Sequence, residues 1–133
     1  MANELAAANV TRTYSLGATS IAIFTFTLFF LFPRYAQGEI IASMFQATLL
    51  AMGVATFCFA FAAFYYYGAS VGGRTQDSGR ADRFWLLGYT MLLLAPSLVL
   101  FSIRLFPVGY VWFAFWLGYV IFALRHFRGL TRP

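Results

Sequence analysis

The chain has 133 residues, of which 62% are hydrophobic and only 10% are charged, and its formal net charge is +5. Water-soluble domains run at about 45–50% apolar and about 25% charged, so nine basic and four acidic side chains cannot supply a charged shell for a soluble fold of this size. Every base is arginine, and the positive surplus is explained by basic residues gathering at the ends of membrane spans rather than by a nucleic-acid-binding stripe; no nucleic-acid partner is expected.

A polar leader of some 15 residues precedes the first uncharged interval, Thr13 to Pro33, which is 21 residues long. A spanning helix needs roughly 20 apolar residues, and this stretch exceeds the apolar core of a cleaved secretion signal, about 7–15 residues. The expected reading is a retained span over about 16–33. It runs into Leu31-Phe32-Pro33-Arg34-Tyr35, a short turn where Pro interrupts the helix and Arg and Tyr sit at the membrane–water boundary.

The second uncharged interval, Ile40 to Gly73, has 34 residues, long for one helix and short for two. One span over about 40–67 is expected, with the Gly/Ser-rich stretch 68–73 as its exit and Tyr65, Tyr66 and Tyr67 forming an interfacial aromatic cluster. Ser43, Ala47, Ala51 and Ala55 recur at steps of four, a smooth stripe that would let another helix approach closely. Gln46 is the strongest polar group inside any span, and Cys58, the single cysteine, lies in an apolar run where it reads as a small buried hydrophobe.

The segment 79–85 holds Arg80, Asp82, Arg83 and Trp85, and is expected to open the third helix, with Asp82 favoured by the dipole at the helix start. The third span is expected over about 84–103, kinked at Pro96. A second short turn, Arg104-Leu105-Phe106-Pro107-Val108-Gly109-Tyr110, resembles the first closely enough to raise the idea of a duplicated hairpin, with chance as the competing explanation. The fourth span is expected over about 107–125, with Ala114 and Gly118 as a second smooth stripe and His126 at its inner edge.

These spans should be helices, because unpaired backbone amides find no partner in hydrocarbon and runs such as Met91-Leu92-Leu93-Leu94 lack the alternation of barrel strands. The expected fold is therefore an all-α integral membrane bundle, one domain over residues 1–133, with four transmembrane helices running up and down. Arg12, Arg74, Arg80, Arg83, Arg125, Arg128 and Arg132 fall on one side and only Arg34 and Arg104 on the other. Seven against two puts both termini in the cytoplasm, and the expected location is a cell membrane of the bacterial inner-membrane kind.

No Asp, Glu, Lys, Arg or His lies at mid-depth in any span. Ion-coupled transport and voltage sensing usually need such a group, bis-histidine haem needs two imidazoles where the chain has one, and no Cys/His cluster suits zinc. Asp77 and Asp82 have no histidine beside them in sequence to make a nucleophile–base pair. The sequence thus assigns no catalytic residue, no metal and no cofactor. The expected function is a non-catalytic multi-pass subunit that anchors or scaffolds a larger membrane complex. Its contacts are lipids and other membrane subunits or further copies of itself, and Arg74, Arg80, Arg83, Arg125 and Arg128 form the contact face. The alternative is a homo-oligomeric channel lined by uncharged polar groups, with Arg34 and Arg104 ringing its outer mouth.

Overall fold

The computed structural model describes the backbone of residues 2–72 and 75–130, and all of their side chains except those of residues 2, 3, 5, 6, 75–77 and 126–130. Four helices follow one another: α1 (Ala2–Ala36), α2 (Ala42–Gly72), α3 (Thr75–Ser102) and α4 (Phe106–Leu130). Each contains a stretch long and apolar enough to cross a membrane, the mark of a multi-pass membrane protein. At about 1.5 Å per residue, the 35 residues of α1 extend well past a hydrocarbon core of about 30 Å. The polar leader is thus the first part of α1, helped by its alanines and by Glu4 in the first turn.

The helices run longer than the expected spans. α2 continues through Gly68 and Ser70 to Gly72 instead of unwinding after Tyr67. Ala69 is buried there and the Ser70 hydroxyl donates to the Tyr67 carbonyl at 2.8 Å. Packing thus outweighs the helix penalty of glycine, about 1 kcal/mol. α3 begins at Thr75, about two turns before Asp82. The dipole effect fades within the first turn, so Asp82 does not act as a helix-start charge.

Neighbouring helices are antiparallel. Ser20 of α1 meets Thr56 of α2, Tyr66 of α2 meets Asp82 of α3, and Trp116 of α4 meets Thr90 of α3. The N-terminal ends of α1 and α3 and the C-terminal ends of α2 and α4 therefore share one end, which holds Arg12, Arg80, Arg83 and Arg125; Arg34 and Arg104 occupy the opposite end. The bundle is not closed. α2 is packed between α1 and α3, whereas among the described residues α4 packs against α3 alone.

The seams follow a seven-residue repeat. On α2 the buried positions include Phe45, Thr48, Met52, Ala55, Phe59, Ala62, Tyr66 and Ala69, alternating steps of three and four. α3 meets them with Ala81, Gly88, Ala95 and Ser102, all small, buried and seven apart. α1 meets them with Thr13, Ser20 and Thr27, again buried and seven apart. Small residues at this spacing bring backbones together in lipid, where dispersion and interhelical hydrogen bonds drive packing. On the α2–α3 seam Gly88 is closely fitted: an added Cβ would sit 3.1 Å from the Cys58 Cβ and 3.2 Å from the Ala55 carbonyl oxygen.

Both turns at the far end close with the same cap. After α1, the Gly38 amide donates to Tyr35 and the Glu39 amide to Arg34, with Gly38 at φ 72°. After α3, the Arg104 amide donates to Phe101 and the Leu105 amide to Leu100, with Arg104 at φ 64°. This is the paired-bond helix ending that favours glycine at the left-handed position. Leu31-Phe32-Pro33 precedes the first cap inside α1, while Leu105-Phe106-Pro107 follows the second and opens α4. The two similar sequence motifs thus occupy different positions relative to their caps.

Candidate functional site

Two concave regions lie where α1 and α3 diverge over α2. The first is at the Arg-rich end. Asn9, Arg12 and Thr13 of α1, Tyr66 of α2, and Asp82 and Trp85 of α3 line a pocket of about 280 Å³. The Arg12 guanidinium lies over the Trp85 ring, 5.5 Å from its centroid, a cation–π arrangement. The buried Tyr66 hydroxyl donates to Oδ1 of Asp82. The Thr13 hydroxyl donates to the Asn9 carbonyl at 2.7 Å, which keeps that buried residue satisfied within its own helix. Trp85 stacks on Tyr89 (5.2 Å between centroids), and Tyr89 meets Tyr119 of α4 edge-on.

The second region is a larger recess of about 590 Å³ at mid-depth. Ile23 and Thr27 form one wall, Met52 the floor, Leu92, Leu93, Pro96 and Val99 the other wall, and Trp112 of α4 the rim. It exists because α4 leans on α3 and leaves the side toward α1 open. Pro96 has no amide proton for the Leu92 carbonyl, and Ser97 beside it turns inward and donates to the Leu94 carbonyl at 3.0 Å. The position expected to kink α3 therefore borders the recess, and α3 remains a helix through it.

The residues singled out in the sequence are placed as follows. Of the smooth stripe, Ala51 and Ala55 are buried, Ala47 is half-buried and Ser43 is exposed. Four residues advance a helix by about 400°, so a four-step stripe rotates off a seam that a three–four alternation follows. Ala114 and Gly118 face outward, and nothing lies within 4 Å of a Cβ added at Gly118; Gly109 is instead a small α4 residue set against the Phe101 ring of α3. Gln46 is exposed and donates to the Tyr35 hydroxyl at 3.4 Å, near the end that carries Arg34 and Arg104, both exposed. Arg80, Arg83 and Arg125 are exposed at the opposite end; Arg74 and the side chains of Arg128, His126 and Asp77 lie outside the described residues. Of the tyrosine cluster, Tyr67 is exposed, Tyr65 stacks on Phe84, and Tyr66 turns into the core to reach Asp82.

The sequence does not bring Arg12, Tyr66, Asp82 and Trp85 together: it reads Arg12, Tyr66 and Trp85 as interfacial residues and Asp82 as a helix-start charge. The signal available was depth: Arg12 and Asp82 each stand just before an uncharged interval, and so at the same level of the membrane. Among the described residues no three His, Cys, Asp or Glu side chains come together. Compared with models of known families, with curated proteins and with solved structures, the chain matches none.

Proposed function

We propose that the chain is a non-catalytic multi-pass membrane subunit whose mid-depth recess seats a transmembrane helix of another subunit in a larger complex. The observation that carries this reading is the open side of α4. A helix held by one neighbour, beside a recess of about 590 Å³ lined almost wholly by apolar side chains, supports a structure completed by a further helix. Close packing of apolar surfaces is what associates helices in lipid. The outward face of α4 carries Trp112 and Phe115, exposed aromatic rings beside the same recess. Arginine placement supports both termini on the cytoplasmic side, with Arg80, Arg83 and Arg125 facing cytoplasmic partners or lipid phosphates, in a cell membrane such as the bacterial inner membrane.

The channel alternative draws less support. Thr13, Ser20, Thr48, Ser97 and Ser102 are buried in the helix seams, while Phe26, Phe29, Phe57 and Phe64 point outward. Several such copies would give a ring lined largely by aromatic side chains.

Purification in a mild detergent tests the proposal. A second integral membrane polypeptide should accompany the chain in fixed ratio, and Leu93→Trp, which fills the recess, should release it. Isolation as a closed ring of identical chains that conducts ions in liposomes would refute it.

A further inference from the structure

The pocket at the Arg-rich end has features that the subunit reading does not use. It brings one cation, Arg12 on α1, and one anion, Asp82 on α3, to the same depth without pairing them: the guanidinium is engaged with Trp85, and Asp82 takes the Tyr66 hydroxyl on one oxygen. Both charges stand within two residues of an uncharged membrane interval, the level at which phospholipid headgroups lie. At about 280 Å³ the pocket is smaller than the usual range for drug-sized ligands, which starts at about 300 Å³, and suits a headgroup.

We infer that this pocket binds the headgroup of a zwitterionic phospholipid with a primary ammonium group, its phosphate held by Arg12 and its ammonium by Asp82. The charge balance selects the class. A lipid that is only anionic would satisfy Arg12 but bring its negative charge against Asp82, at a cost that grows as water is excluded. A zwitterion satisfies both. The engagement of Trp85 selects the kind of ammonium. Quaternary ammonium groups are held by open aromatic faces, but the Trp85 ring is already covered by Arg12 and stacked with Tyr89. What remains is a carboxylate oxygen, which accepts a charge-assisted hydrogen bond from an N–H donor; a quaternary ammonium has none. The hydrogen bond from Tyr66 fixes the carboxylate, and Asn9 at the rim offers a carboxamide to the headgroup.

Native mass spectrometry of the delipidated full chain, offered phosphatidylethanolamine, phosphatidylcholine or phosphatidylglycerol of matched acyl chains, tests the inference. The expected result is one tightly retained phosphatidylethanolamine, preferred about tenfold over the other two, as a hydrogen bond to a charged group is worth. Asp82→Asn, which keeps the shape and the acceptor for Tyr66, should erase the preference over phosphatidylcholine. Arg12→Gln should weaken retention of both phosphatidylethanolamine and phosphatidylcholine. Arg34→Gln, exposed at the opposite end of the bundle and outside the pocket, should change neither. The discrimination by the unaltered chain needs no variant to fold. Equal retention of the three lipids, a preference for phosphatidylglycerol, or an unchanged preference in folded Asp82→Asn would overturn the inference.

Discussion

The α2–α3 seam and the α3–α4 contact share one helix but are built on opposite plans. Along the first, Ala81, Gly88, Ala95 and Ser102 present a row of small residues to Ala55, Ala62 and their neighbours, and the backbones close to near contact. Along the second, aromatic rings do the work: Phe101 rests on Gly109 and meets Tyr110 edge-on, Tyr89 meets Tyr119, and the Trp116 Nε1–H donates to the Thr90 carbonyl at 2.9 Å. The small-residue seam runs the length of the helices and holds the two backbones together. The aromatic contact holds α4 along one narrow line and leaves its other faces uncovered. Exposed apolar surface costs nothing in lipid, so the uncovered faces of α4 are stable against lipid and equally available to another helix.

Substitutions that tell the two plans apart differ widely in expected size. Gly88→Leu should be the most damaging, because its side chain would have to enter space already held by Cys58 and the Ala55 carbonyl. Overpacking of this kind costs about 3 kcal/mol, read as a fall in the unfolding midpoint in detergent followed by circular dichroism. A mild effect there would mean that α2 and α3 slide freely. Trp116→Phe removes one hydrogen bond from the α3–α4 contact and should cost about 1 kcal/mol. Its signature is faster amide exchange in α4 with α2 unchanged, since only α3 holds α4.

Arg104→Gly should stabilise the chain by about 0.5–1 kcal/mol, because a side chain at φ 64° is strained where glycine is not. A loss of stability would show that Arg104 makes a compensating contact. A double-mutant cycle with Ser20→Ala and Thr56→Ala should give a coupling of about 0.6 kcal/mol, the ordinary worth of an interhelical hydrogen bond in a membrane. Gly118→Leu is the matched opposite of Gly88→Leu: with nothing within 4 Å, it should move the midpoint by less than about 0.5 kcal/mol.

Four long apolar helices are legible in the sequence because arginine and acidic residues bracket each uncharged interval. The direction each helix faces is not. In water a helix declares its buried side by the contrast of apolar against polar residues. Here both sides are apolar, and the remaining contrast is small against large. Ser43, Ala47, Ala51 and Ala55 show that contrast at a spacing that drifts off the seam; Ala81, Gly88, Ala95 and Ser102 show it at the spacing that stays on. The polar pocket was hidden for another reason. Arg12, Tyr66 and Asp82 belong to three helices, and only the antiparallel stacking of those helices brings them to one place.

The open side of α4 is tested most directly by a photoreactive phenylalanine analogue placed at Trp112, on the rim of the recess, and separately at Phe57, an exposed aromatic site outside it. On irradiation in intact membranes, position 112 should join the chain to one membrane polypeptide in high yield and position 57 should label lipid. Lipid adducts alone at both positions would contradict the proposal that another subunit's helix occupies the recess.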